Sequence, residues 1–485
     1  MQEQLSASPQ RTFRDPAGSI EVRSDGAFRS VHPSYATDML AFLDEPIAAG
    51  LVSAGLLIST TVIEVAEERS PEPSAPASAK IPDPDAHPLH LRHPRVSFPS
   101  YPWEWSPALW LASAELTLNL CSDLLKEGWI LKDATPLNIL FRGVEPVFVD
   151  VLSIQRADLH QPVWFAYGQF VRTFLLPMLA HSRLGWPLQV ALTRRDGFEP
   201  EEVYAALPWT QRLRQPALSS VTLPLLLARM TSSRSNTASG PGRTVKDPEV
   251  SRHILLKTLA GLLTQMRRAT PSPSPSKWSG YTQTASHYSP ADQAAKQDFV
   301  RQAMAESLPV RVLDVGCNTG VYSRLAARAG TEVVAIDTDL QAVDRLATSL
   351  RNANLNILPL CVDLAYPTPA TGWQNRENRS FLARAAGHFD TVLMLAVLHH
   401  LLLQSQIPLG HIATLCSTLT TRTLILEWVP PTDSMFQQVL RGREALYQHL
   451  TEAAFREAFA PYFFIQRELT LPNQRILFHF VRRQG

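Results

Sequence analysis

From residue 310 onward the chain switches repeatedly between two hydrophobic periods. VRVLDV (310–315) is a short β-branched run that stops at Gly316, and VYSRLAARAG (321–330) spaces its apolar residues at helical intervals before a terminating glycine. TEVVAID (331–337) predicts a strand and residues 340–350 a helix. NILPLCVD (356–363), FDTVLMLAVL (389–398) and TLILEWV (423–429) continue the strand series. FFIQREL and RILFHFV are separated only by residues 470–474, which predicts an antiparallel hairpin. Strand-helix alternation demands crossover connections, so the fold class expected here is α/β with a doubly wound, mostly parallel sheet. Such sheets bind ligands beyond the carboxyl ends of their strands, where the strand order reverses.

Upstream the pattern is less regular. SIEVRSDGAFRSV (19–31) predicts a hairpin around Asp25-Gly26, and PALWLASAELTLNLCSDLLKE (107–127) has helical spacing that ends at Gly128. VSRHILLKTLAGLLTQMRR (250–268) is again helical in pattern. Proline-, serine- and acid-rich stretches punctuate the chain near 68–88, 231–247 and 270–277. They predict an α+β N-terminal domain over 1–268 with two disordered inserts, a stiff linker at 269–277, and a C-terminal domain over 278–485. The longest apolar runs fall well short of the ~20 residues that span a bilayer, so no membrane span is expected.

Composition narrows the function class. The 485 residues are 45% hydrophobic and 18% charged, enough for a large core, and the net charge of +1 provides no global field for nucleic acid. The 4 cysteines stand far apart with no C-x-x-C pair, which argues against disulfides or zinc. With no basic-then-apolar leader, a cytoplasmic location is expected.

The candidate chemistry sits at the first C-terminal strand. Gly316 and Gly320 allow a sharp turn close to a ligand, and Asn318 tolerates left-handed backbone. Asp337, ending the second strand, offers two acceptor oxygens for the hydroxyls of a ribose; Asp363, ending the third, can accept an adenine amine. A dinucleotide fingerprint is G-x-G-x-x-G. Here the spacing is Gly316-x-Asn318-x-Gly320, with Asp314 beside it, and a carboxylate there opposes a pyrophosphate but suits a cationic ligand. With LDVGCNTG, AIDTD and LMLAVLHHL, the region resembles class I S-adenosylmethionine-dependent methyltransferases. That resemblance implies a Rossmann-like seven-stranded sheet, with Asp314, Gly316, Asn318, Gly320, Asp337 and Asp363 binding S-adenosyl-L-methionine. His399, His400 and Glu427, near the ends of strands four and five, are the candidate catalytic groups. Asp344 and residues 376–379 read as solvated surface. The aromatics at 278–281 and 287–288 read as a lid.

The N-terminal domain carries a second signal. Asp133, Pro136, Asn138 and Asp150 follow one another in LKDATPLNILFRGVEPVFVD. This spacing resembles the catalytic loop and metal-binding acid of protein-kinase-like folds, in which Asp133 would accept a hydroxyl proton while Asn138 and Asp150 held magnesium with ATP. No His-Arg pair precedes Asp133, Val151-Leu-Ser153 follows Asp150, and Arg29 stands where a lysine is expected. Over nearly its full length the chain resembles bacterial two-part, nodulation-type methyltransferases, which implies a small-molecule or glycan acceptor. The alternative is an ATP- and Mg-dependent phosphotransferase whose methyltransferase fold senses cofactor or serves assembly.

Overall fold

A computed structural model describes residues 10–12, 15–63, 89–232, 246–273, 289–328, 330–440 and 442–483. The expected inserts, except their outermost residues, the linker beyond residue 273 and the lid at 278–288 lie outside the described residues.

The C-terminal sheet has seven strands in the order β12-β11-β10-β13-β14-β16-β15. Its strands are β10 (Arg311–Val315), β11 (Glu332–Asp337), β12 (Ile357–Cys361), β13 (Phe389–Met394), β14 (Thr420–Trp428), β15 (Phe463–Thr470) and β16 (Ile476–Arg482). β10 to β14 pair in parallel, and β16 runs antiparallel to both β14 and β15. Every residue of β12 and β13 is buried, as expected for parallel strands covered by helices on both faces. β15 is instead largely exposed and carries Arg467 and Glu468, charges that blunt a free edge. The run at 389–398 is not one strand: it stops at Met394, turns through left-handed Ala396, and enters the helix Leu398–Leu403.

The N-terminal unit opens with an antiparallel sheet in the order β1-β2-β3-β5-β4. Its strands are β1 (Gln10–Thr12), β2 (Gly18–Arg23), β3 (Gly26–Val31), β4 (Thr61–Ile63) and β5 (Leu89–His93). The β2–β3 hairpin turns at Ser24-Asp25, because Gly26 already pairs with Arg23. A connector leads from β5 to the helix Pro107–Lys126, which buries Leu109, Trp110, Leu118 and Cys121 and packs against the helix Pro248–Ala269. Between these helices lie β6 (Trp129–Leu131), the hairpin of β7 (Ile139–Arg142) and β8 (Glu145–Phe148), and β9 (Ile154–Arg156), which pairs with β6.

The two units share one buried apolar cluster. At the seam the Asp344 carboxylate accepts the Ala108 N–H at 2.7 Å, satisfying a donor at the start of the helix Pro107–Lys126. Arg384 forms a fully buried ion pair with Glu104 and donates to the Pro99 carbonyl at 2.6 Å. Asp344 and Glu377, expected at the surface, are therefore buried at the seam, with Glu377 paired to Arg195 at 3.2 Å. A charged side chain reads as solvated from sequence, which cannot register a second unit arriving on that face.

Candidate active site

Parallel register aligns Asp314 with Ala335 and Asp337 with Cys361, so Asp314, Asp337 and Asp363 occupy the carboxyl ends of three adjacent strands. Asp314 is buried and accepts the Ser323 hydroxyl at 2.6 Å. Burial pushes its carboxyl up to about 6; the Ser323 hydrogen bond opposes this, and the Asp337 charge adds to it. The loop that follows is held by the Gly316 and Cys317 N–H groups, which both donate to the Ile336 carbonyl at 2.9 and 3.0 Å. Gly316 has φ +73°, and a Cβ there would lie 2.3 Å from Val397 Cγ2, so the turn requires glycine twice over. Gly320, at φ +82°, faces Leu346 just as closely. Asn318 occupies left-handed backbone at φ 49°.

Asp337 receives the Asn318 N–H on Oδ2 at 2.8 Å and the Asp339 N–H on Oδ1 at 2.9 Å. Each oxygen therefore keeps acceptor capacity. Burial raises the Asp337 pKa, opposed by these backbone donors. Asp363 lies two residues beyond β12, where its Oδ1 accepts the Ala365 N–H at 2.8 Å. Both carboxylates are half-buried, oriented by backbone donors on a rim open to solvent.

Glu427, near the end of β14, is fully buried between two cations: Oε2 lies 2.5 Å from Lys296 Nζ and Oε1 3.5 Å from Arg475 Nη1. Arg475 also pairs with Asp433, Nε to Oδ2 at 2.9 Å. Sequence reasoning missed Lys296. It lies on the inward face of the helix Pro290–Ser307 among Phe299, Val300 and Ala303, and a lysine in that apolar stripe was the available signal. Burial lowers its pKa while the Glu427 charge opposes the shift.

His399 and His400 begin the helix after β13, their rings 4.2 Å apart. Burial holds His399 well below the usual histidine range, and His400 is lowered for the same reason, so both are neutral at neutral pH. His399 Nδ1 is buried with no hydrogen-bond partner among the described residues.

Of the N-terminal candidates, Asn138 and Asp150 line a cavity of about 710 Å³ and Asp133 does not. Ile20, Val22, Val96 and Leu140 are among its apolar lining residues, and Glu21, Arg95 and Arg379 among its further charged ones. Buried Arg29 donates to Asp150 Oδ1 at 2.9 Å, the Ser153 hydroxyl takes Oδ2, and Asn138 Nδ2 donates to Ser153 Oγ at 3.2 Å. Asp133 is half-buried, its pKa raised by burial and by the Asp150 charge. In this arrangement the Arg29 guanidinium supplies the positive charge facing Asp150. Among the described residues no cluster of three or more His, Cys, Asp and Glu side chains could hold a metal ion.

A family model described as "Methyltransferase domain" matches residues 280–462. The C-terminal region is a methyltransferase domain. Its carboxylate-fringed loop lies at the point where the strand order reverses, between β10 and β13. Over its whole length the chain is similar to nodulation protein NoeA of Rhizobium meliloti (strain 1021), 27% identical over 480 residues that cover 98% of this chain and 96% of the relative. The methyltransferase domain is also similar to the ubiquinone biosynthesis O-methyltransferase of Caulobacter vibrioides (strain ATCC 19089 / CIP 103742 / CB 15), 32% identical over 166 residues, 30% of this chain and 60% of that protein. Among solved structures, magnesium protoporphyrin IX methyltransferase from Synechocystis PCC 6803 with bound SAH covers 40% of this chain and 84% of its own, at 22% identity and a TM-score of 0.29. No helix among the described residues is long and apolar enough to cross a membrane.

Proposed function

We propose that the methyltransferase domain transfers the methyl group of S-adenosyl-L-methionine to a small-molecule or glycan acceptor. The observation that carries the cofactor reading is the row of three carboxylates, Asp314, Asp337 and Asp363, on adjacent strand ends around the Gly316–Gly320 turn. An acidic rim suits a ligand bearing ammonium and sulfonium charges and opposes a pyrophosphate. Asp337 would hold the ribose hydroxyls, Asp363 the adenine amine, and Asp314, with the turn through Asn318, the methionine end. When bound, the cofactor supplies an electrophilic methyl group on a positively charged sulfur. Methyl transfer then needs chiefly an in-line approach, so positioning by the loops carries much of the rate.

Where the acceptor must lose a proton, His399 Nδ1 is the favoured group to take it, because it is neutral and without a partner among the described residues. His400 is the adjacent candidate. Glu427, engaged by two cations, holds Lys296 and Arg475 in place and is the weaker candidate base. Calorimetry with S-adenosylmethionine, S-adenosylhomocysteine and NAD tests the cofactor: the first two should bind, and NAD binding alone refutes the reading. Incubation with methyl-labelled cofactor and cell extract, followed by fractionation of the label, identifies the acceptor class.

A second reading concerns the N-terminal unit. The convergence of Asp133, Asn138 and Asp150 near an apolar-walled cavity supports a kinase-like module whose cleft takes a nucleotide-type ligand. Arg29 is held by Asp150 at that cavity, and no phosphoryl transfer is assigned to the unit.

A further inference from the structure

One segment of chain links the methyltransferase cofactor rim to the N-terminal cleft. Residues 363–388 run from Asp363, the candidate adenine acceptor, to the start of β13, and β13 ends at the turn where Val397 packs against Gly316. Between those ends the segment leaves the cofactor rim and lines the N-terminal cavity with Glu377, Asn378, Arg379 and Arg384.

The connector after β5 also lines the cavity, through residues 94–97, 99 and 101, and it grips the same segment directly. The Thr368 hydroxyl donates to Glu104 at 2.6 Å, Arg384 pairs with that carboxylate, and the Arg379 N–H donates to the Tyr101 hydroxyl at 3.2 Å. The Arg384 guanidinium also lies over the Tyr101 ring, 4.7 Å from its centroid. Arg195 ties a third N-terminal element to Glu377. The segment is folded back on itself, with the Thr371 N–H donating to the Asn378 carbonyl at 2.9 Å and the Phe381 N–H to the Thr368 carbonyl at 3.0 Å. It therefore transmits a displacement at its cleft end instead of absorbing it as a slack loop would.

We infer that the ligand of the N-terminal cleft is an effector of cofactor binding, acting through this segment. The inference rests on the cofactor and cleft readings above. The cleft selects a planar heterocycle on its apolar lining, with an anionic end toward the exposed Arg95 and Arg379, which also line it. Such a ligand contacts residues 377–379 and shifts the folded segment as a unit, which moves Asp363 at one end and the Val397–Gly316 contact at the other. A ligand that favours the segment position in which both sites are formed gives positive coupling, and by linkage the effect is reciprocal.

The experiment uses the full chain, S-adenosylhomocysteine, and ADP in EDTA as the cleft probe. Calorimetric titration of S-adenosylhomocysteine with and without saturating ADP should show tightening by about fivefold or more, and the reverse titration the same factor. Thr368→Val removes one connector-to-segment hydrogen bond without touching either site. Each ligand alone should bind within about twofold of the parent, while the coupling factor falls toward one. Failure of S-adenosylhomocysteine to bind at all sinks the methyltransferase cofactor reading itself. Normal S-adenosylhomocysteine binding with no ADP binding overturns the cleft assignment. Binding of both with unchanged affinities overturns the linkage. Weakened S-adenosylhomocysteine binding that persists in Thr368→Val is direct competition at one site and overturns it as well.

Discussion

Replacing Gly316 by alanine attacks the cofactor loop at its tightest point. Two costs add. A Cβ at φ +73° carries the left-handed penalty of about 1–2 kcal/mol. The new methyl would also lie 2.3 Å from Val397 Cγ2, and valine is stiff at χ1, so relief requires movement of the β13 turn, an overpacking cost of about 1–3 kcal/mol. Gly316→Ala should therefore lose about 2–5 kcal/mol of stability. Val397→Ala removes the colliding group and, at a half-buried site, costs about 1 kcal/mol alone. The double variant should then be more stable than the sum of the singles by about the overpacking term, 1–3 kcal/mol. Urea unfolding of the four proteins, with S-adenosylhomocysteine affinity measured in parallel, completes the cycle. Strict additivity would refute the close-approach argument and leave backbone conformation as the sole reason for glycine.

Asp337→Ala should cost about 1.5–3 kcal/mol of S-adenosylhomocysteine binding, roughly ten- to a hundredfold in Kd, and unchanged calorimetric affinity in a folded variant would remove the ribose assignment. The Asp314 pKa of about 6 lies above the ordinary 3.8, so its contribution to folding is full below about pH 4 and is lost as pH rises through about 6. Cationic cofactor binding should move oppositely, strengthening between about pH 5 and 7, and Asp314→Asn should flatten that profile; an unaltered profile assigns it to another group. Lys296→Met takes one of two cations from the buried Glu427 carboxylate, for an expected loss of about 3–5 kcal/mol; Lys296→Met/Glu427→Gln should recover part of it in thermal unfolding.

The C-terminal strand series was legible because buried parallel strands write themselves as continuous apolar runs, as in ILPLC, and because the loop needs glycine where the backbone is left-handed. The end of β13 was not legible: LMLAVL reads as strand throughout, and only Ala396 in left-handed backbone reveals the turn. In the N-terminal sheet, β4 and β5 are short segments flanking a proline-rich stretch, and neither TVI nor LHLRH carries enough alternation to stand out. The acids at the strand ends could be located by counting from the glycines. Lys296 stood out only as a lysine in an apolar helical stripe, because its partner Glu427 lies 131 residues away and pairing at that distance leaves no periodic trace. Asp344 and Glu377 were misplaced for the same reason: what buries each is contributed by the other half of the chain.

That mutual burial bears on how the protein can be divided. The serine- and proline-rich stretch after residue 273 looks like a convenient place to cut, yet a fragment beginning beyond it would present bare apolar residues to water. It would also strand the Arg384 guanidinium, which was desolvated against Glu104. A protease nicking there should leave two pieces that travel together on a sizing column, and the C-terminal piece produced alone should aggregate. Dissection by domain would here expose surfaces that each half buries in the other.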